Sequence, residues 1–258
     1  MDVKEIEKEI KSCNLRFIDK MLNLWSFLIV TFSTELFSKF ALNNEIIVKA
    51  LNDDDPNIIN RYNEHKNELE QSYKNSIDYI NEMSYKDCFQ AFEEFLYDIF
   101  LVLFQNYPIY IYREKSSKTE LDYNIIFKES DIESLKRKII EKKVKSIIQS
   151  NNIKKIINKF AYVFDIDITI AKEDIDSLFL ASRIRNVLSH NNGKINSMFL
   201  SDLNKENIQT NYNLNDRIKI NDDDIRTVQK LVKSVSIIIT KNTINKLNQL
   251  ENYSLHNS

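Results

Sequence analysis

Residues 84–108 read SYKDCFQAFEEFLYDIFLVLFQNYP, and the spacing within them decides the fold class. Apolar residues recur at Cys88, Phe92, Phe95, Ile99 and Val102, a period of about 3.5–3.6 that belongs to a helix rather than a strand. The same spacing runs upstream through Ile58, Tyr62, Leu69, Tyr73, Ile77 and Ile80. It begins at Pro56, a residue suited to the first helical position, with Asp55 as N-cap. One very long helix is predicted, or two in line with a break near residues 81–84, stopped by Pro108.

Composition supports a helical protein throughout. The 258 residues include 1 glycine and 2 prolines, where average usage would supply roughly eighteen and thirteen. A P-loop, a dinucleotide-binding turn and a nucleophile elbow each need two or more glycines, because the backbone must reach positive φ or press against a phosphate. None can be built from this chain. Folds rich in β-strands also use Gly and Pro at their frequent turns, so an all-α fold is expected.

Helical stripes fill most of the remaining chain. Residues 3–42 read as a short amphipathic helix followed by an apolar one, and together residues 1–55 form an N-terminal helical extension to a helical domain over 56–250. After Pro108 a loop with a short strand is expected. Further helices are predicted over about 131–149, 151–164 and 172–189, with an extended run over 165–169 between the last two. A polar loop then leads to a final helix that opens at residues 221–224.

The uncharged run within the N-terminal stretch, residues 21–34, is 14 residues long, short of the roughly 18 that span a bilayer. Glu35 and Lys39 interrupt its continuation, and MDVKEIEKEIK reads as a charged helix former, so a signal peptide is not expected. A cytoplasmic protein without a membrane partner is expected. Cys13 and Cys88 are too few for a disulfide framework and read as inert buried thiols. With His65, His190 and His256 as the only histidines and no C-x-x-C, no zinc site is expected, and no cofactor.

Charge is balanced overall at −2, so any nucleic-acid contact must come from a local patch. One such patch lies in residues 131–160, where nine basic residues, among them Lys136, Arg137, Lys142 and Lys143, face three acidic ones. A stripe of this kind can track a phosphate backbone. Solvated lysines on amphipathic helices give the same pattern.

The segment RIRNVLSHNNG, residues 183–193, is the one constellation from which chemistry is expected. Histidine exchanges a proton near neutral pH, and a guanidinium neutralises charge developing on phosphoryl oxygens. RNA supplies its own nucleophile, since a deprotonated 2′-OH attacks the adjacent phosphorus without metal or cofactor. On an ideal helix Arg185 and His190 stand about 140° apart, whereas Arg183 and His190 nearly eclipse. Arg185 and His190 therefore meet one substrate if His190 lies past the helix end, or if a second subunit supplies the partner residue. Asn191, Asn192 and Gly193 are helix-stopping residues. The competing reading of His190 is a C-terminal residue placed at the negative end of the helix dipole.

RNVLSHNNG, late in a helical chain, resembles the R-x(4–6)-H signature of the HEPN superfamily (higher eukaryotes and prokaryotes nucleotide-binding). Asn186 matches the polar residue that follows the arginine there, and Ile195, Asn196, Phe199 and Leu200 match the run after the glycine. The resemblance covers about residues 84–247, with SYKDCFQAFEEFLYDIFLVLFQNYP similar to the long first helix. It implies a HEPN-like helical bundle with long antiparallel helices, a homodimer whose two motifs face one cleft, and a metal-independent endoribonuclease of toxin, abortive-infection or antiphage type with RNA as substrate and an antitoxin or defence-system partner. Carried over by position, His190 is general base or acid, Arg185 stabilises the phosphate, and Asn186 orients phosphate or histidine. Arg183, Asn191 and Asn192 are secondary RNA-binding candidates. One subgroup has a tyrosine two residues after the histidine. Here that position is Asn192, so the modification made there is not expected. Acidic residues on the family's first helix make Glu93, Glu94 and Asp98 candidate helpers, against the alternative of a solvated face. The alternative function is a non-catalytic HEPN-like RNA-binding or scaffold subunit, with the N-terminal helices as its docking element.

Overall fold

The computed structural model describes residues 2–42, 56–113, 131–150 and 152–256, with side chains over 2–33, 71, 74–113, 131–149 and 152–250. The chain is all-α. In order it forms α1 (Val3–Leu42), α2 (Pro56–Asn106), a 3-10 turn (Pro108–Arg113), α3 (Ile132–Ser150), α4 (Ile153–Phe164), α5 (Lys172–His190), α6 (Ser197–Lys205) and α7 (Asp222–His256). No strand occurs among the described residues; one isolated antiparallel bridge joins Lys194 and Arg217.

Helix α2 is the centre. At 51 residues it is roughly 75 Å long, and its second half packs against α1, α3, α5, α7 and the 3-10 turn. Phe89, Phe92, Phe95, Leu96, Ile99, Phe100, Leu103 and Phe104 are all buried, a stripe too wide for one neighbour. Two aromatic clusters fix its partners. Phe17 of α1 sits 6.1 Å from Phe92 and 5.4 Å from Phe95. At the other end Phe100 lies 4.7 Å from Phe160, and Phe104 lies 4.9 Å from Phe164. Tilted ring pairs at these separations add to the area they bury.

The polar stretch at 81–84 does not break α2. Asn81 and Ser84 are buried, and Asn81 Nδ2 donates to the Ile220 carbonyl at 3.2 Å. Polarity there serves a contact with the segment before α7, so the helix passes through. Likewise α1 is one helix and not two. Its apolar residues Ile6, Ile10, Cys13, Phe17, Met21 and Leu28 join the same core as α2 and α7. Arg16 reaches Asp98 at 2.8 Å, Lys20 pairs with Glu94, and Arg226 lies 4.3 Å above the Trp25 ring.

Residues 109–113 form the 3-10 turn where a strand was expected, and residues 165–170 run without helix or strand. Asp55 and the rest of the expected loop lie outside the described residues. Helix α6 was not expected. Its Asn196 cap accepts from Phe199 N–H at 2.9 Å, and it buries Phe199 and Leu203, too few apolar positions to stand out in a polar sequence. Helix α7 opens on a reciprocal cap: Asn221 accepts from Asp224 N–H at 3.0 Å and Asp224 accepts from Asn221 N–H at 2.9 Å.

Both cysteines are buried. Burial pushes the Cys13 thiol up to about 11 and the Cys88 thiol up to about 12, so both remain protonated at neutral pH. No helix among the described residues is long and apolar enough to cross a membrane.

Central burial of α2 sets the stability. Phe100→Ala, which empties a site between α2 and α4, is expected to cost about 3–5 kcal/mol in urea unfolding. Tyr79→Ala, on the exposed part of the same helix, should change stability by no more than about 0.5 kcal/mol.

Candidate active site

Helix α5 carries the motif and packs against α2, α4, α6 and α7. Around its C-terminal half lies an open cleft of about 920 Å³, walled by Glu93 of α2, the junction of α3 and α4, and α6. Arg183, Arg185, Asn186, His190 and Asn191 all line it. The structure therefore brings together the three residues expected to act, Arg185, Asn186 and His190.

The two arginines face opposite walls. Arg185 is mostly buried and donates through Nη2 to the Glu93 carboxylate, with its guanidinium 5.6 Å from the Phe89 ring centre. Arg183 donates to Asp202 of α6 at 3.0 Å and lies 5.1 Å from the Phe179 ring centre. The Nε of each is buried without an acceptor. Asn186 is half-buried and His190 exposed. Within the described residues neither side chain makes a hydrogen bond.

Sequence reasoning favoured no one of the three acids on α2. The structure separates them: Glu93 enters the cleft, while Glu94 and Asp98 tie α2 to Lys20 and Arg16 of α1. Burial pushes the Glu93 carboxyl above the usual glutamate range, against the opposing pull of Arg185. Glu94 is held below that range by its bond to Lys20.

His190 is the last residue of α5, not a residue beyond it. The angular separation of about 140° from Arg185 on an ideal helix therefore persists, and both residues line the one cleft. Termination follows at once. Val187 carbonyl accepts N–H bonds from Asn191 at 2.9 Å and from Gly193 at 3.1 Å. Asn192 and Gly193 take left-handed φ of 52° and 73°. A Cβ on Gly193 would lie 3.4 Å from the Ile218 carbonyl oxygen, and the Gly193 carbonyl accepts from Ile218 N–H at 2.9 Å. The glycine thus ends the helix and docks the strand-like segment before α7.

Of the secondary candidates, Arg183 and Asn191 line the cleft, and Asn192 and the α3 cations do not. Asn192 is an exposed turn residue that does not line the cleft, whereas Asn191 does, with its Nδ2 bonded to the Lys194 carbonyl. The basic stripe on α3 does not reach the cleft either: Lys136 pairs with Glu133 at 2.6 Å and Arg137 with Glu141 at 3.0 Å. Lys143 is only 3% exposed, and Lys142 is exposed on α3 outside the cleft lining. Carboxylates three and four residues away thus answer two of its charges. The cations that do line the cleft from neighbouring helices are Lys155 of α4 and Lys205 of α6. Asp202, Lys205, Asn196 and Met198 come from the unexpected helix α6; an asparagine cap followed by Phe199 and Leu203 four apart was its sequence signal.

Among the described residues, no three His, Cys, Asp or Glu side chains come together to hold a metal ion. No protein-family model, curated protein or solved structure matches the chain.

The Glu93–Arg185 pair has a pH signature. A carboxyl whose folded pKa is raised favours the folded state most at low pH, and that contribution is lost as pH rises through the raised value. Removing Arg185 removes the group that opposes this rise. Arg185→Ala should therefore cost about 1–3 kcal/mol at pH 7 and less at pH 4.5, measured by urea unfolding. A cost independent of pH would contradict the pairing.

Proposed function

We propose that the protein is a metal-independent endoribonuclease of HEPN type, acting as a homodimer in the cytoplasm as a toxin or antiphage defence effector. The observation that supports this reading is the cleft itself, which Arg185, Asn186 and His190 all line, while the side chains of Asn186 and His190 make no hydrogen bond among the described residues. His190 takes the proton from a ribose 2′-OH. The 2′ oxygen attacks the adjacent phosphorus, the bond from phosphorus to the 5′ oxygen breaks, and the departing oxygen takes up a proton. Arg185 neutralises charge on the non-bridging oxygens, and Asn186 hydrogen-bonds one of them or the imidazole.

Arg185 has donors left for this task. Nη2 binds Glu93, but a guanidinium carries five N–H groups in a rigid fork. The carboxylate orients the fork; with Nε buried, the remaining N–H groups of the two Nη nitrogens are those that would hold phosphate. A single chain offers one histidine to the cleft, while the reaction transfers two protons. A second copy facing the first supplies the other His190, which is the basis for the homodimer.

A second reading, a non-catalytic RNA-binding or scaffold subunit, is favoured by one surface. Leu15, Leu22 and Ile29, seven residues apart on α1, are 60%, 54% and 49% exposed, an apolar row opposite the face that packs on the core. An antitoxin or defence-system partner could bind there under either reading.

Cleavage of RNA by variants at equal folded amounts separates the two. His190→Ala and Arg185→Ala are each expected to lose about 10²–10⁴-fold in rate. Wild-type rates in His190→Ala, or a folded dimeric wild type that leaves RNA intact, would overturn the nuclease reading.

A further inference from the structure

Helix α1 carries more apolar surface than its packing on α2 and α7 uses. Leu15, Leu22 and Ile29 stand seven residues apart, and Ile18, Trp25 and Phe32 follow each of them by three. That is the spacing of a coiled-coil seam, held over three heptads. The second set is half-buried against the core of its own chain. The first set is open to solvent, and Phe27 and Val30 beside it are 45% and 64% exposed.

Beyond Leu28 on α1 and before Asn81 on α2 no described side chain is buried, so this end of the helix pair lies at the edge of the core. The five exposed side chains leave on the order of 500 Å² open in each copy, at the upper end of the largest apolar patch of an ordinary monomer. Two such faces together supply about the 1,000 Å² at which specific contacts between proteins begin.

Charge decides what covers this face. Residues 21–34 of α1 carry none. The cations just before them are committed to α2, Arg16 to Asp98 at 2.8 Å and Lys20 to Glu94. A helix that lies in a membrane surface carries Lys and Arg beside its apolar row, and residues 21–34 have neither. A distinct protein partner is set apart from its competitors by charges around the contact, which this stretch lacks as well. Ser26, within the face, turns its hydroxyl onto the Leu22 carbonyl at 3.0 Å and needs no group from outside. A two-fold contact sets one surface against its own copy, and an uncharged row meets no like charge there.

We propose that this face of α1 is a contact between two copies of the chain, each covering Leu15, Leu22, Ile29 and Val30 of the other. Helix α1 lines no part of the cleft and lies outside the residues that resemble the HEPN superfamily. The contact is therefore separate from one that brings two His190 side chains together, and it stands whether or not the cleft cuts RNA.

The test is sedimentation equilibrium of the full-length chain at micromolar concentrations, with thiol cross-linking on the same samples. Leu22→Glu combined with Ile29→Glu, both at exposed positions, should weaken self-association at least about a hundredfold and leave the helical circular dichroism unchanged. Asn23→Cys, Ser26→Cys and Ser33→Cys each place a thiol on an exposed position of α1, and at least one of the three should cross-link to its own copy. The native Cys13 and Cys88 are buried and should not react. Adding His190→Ala should leave that cross-link in place, which keeps this contact distinguishable from the cleft and its chemistry. A monomeric wild type, association unchanged by the two glutamates, no cross-link at any of the three positions, or a cross-link lost with His190→Ala would each overturn the proposal. Binding to phosphatidylcholine–phosphatidylglycerol vesicles that the two glutamates abolish, with no change of mass in solution, would overturn it in favour of a membrane surface.

Discussion

Burial of the second half of α2 is the constraint on which the molecule depends. Phe89, Phe92, Phe95, Phe100 and Phe104 are shielded from water by α1, α3, α4, α5 and α7 together, and truncating any one of them would cost about 3–5 kcal/mol. Glu93 sits between Phe92 and Phe95 in this stripe, so its carboxylate has little freedom of position. The pair it makes with Arg185 is worth less than the rings around it, roughly 1–3 kcal/mol. The core therefore holds α5 against α2, and the ion pair aims one guanidinium. A hydrophobic decision on α2 becomes a geometric one at the cleft.

That order of effects explains what the cleft can do. An arginine free in water binds phosphate as a mobile cation; one seated over Phe89 and bonded to Glu93 presents a fixed edge. Arg183 is held the same way by Phe179 and Asp202, which fastens α6 to α5 and shapes the opposite wall. Charge at the cleft is nearly balanced, consistent with a chain whose total is −2. A net positive field at the cleft is thus small.

Helices with broad apolar stripes were legible from the sequence: α2, α3, α4 and α7 lie close to where periodicity puts them. The misses share a cause, tertiary contact. Residues 81–84 looked like a break because their polarity answers Ile220, 139 residues away. Helix α6 buries only Phe199 and Leu203 and is held by its cap and by Arg183. The scarcity of glycine pointed correctly to helices, yet the chain still needs left-handed residues. Asp165, Asn192, Asn207 and Asn215 take that conformation beside Gly193, as short polar side chains tolerate it. At the cleft, Arg185, Asn186 and His190 were readable because they are neighbours in one helix. Glu93, 92 residues from Arg185, could be offered only as one of three acids. Of the basic patch over residues 131–160, Lys155 lines the cleft, while Lys136, Arg137, Lys142 and Lys143 lie on α3 outside it.

The proposed ribonuclease chemistry is tested most directly by incubating the protein with RNA in EDTA and determining the ends of the fragments by mass spectrometry. Attack by the 2′-OH leaves a 2′,3′-cyclic phosphate on one fragment and a 5′-OH on the other, and these are the predicted ends. Fragments bearing 3′-OH and 5′-phosphate, or cleavage that appears only when a divalent metal is added, would contradict the mechanism built on Arg185, Asn186 and His190.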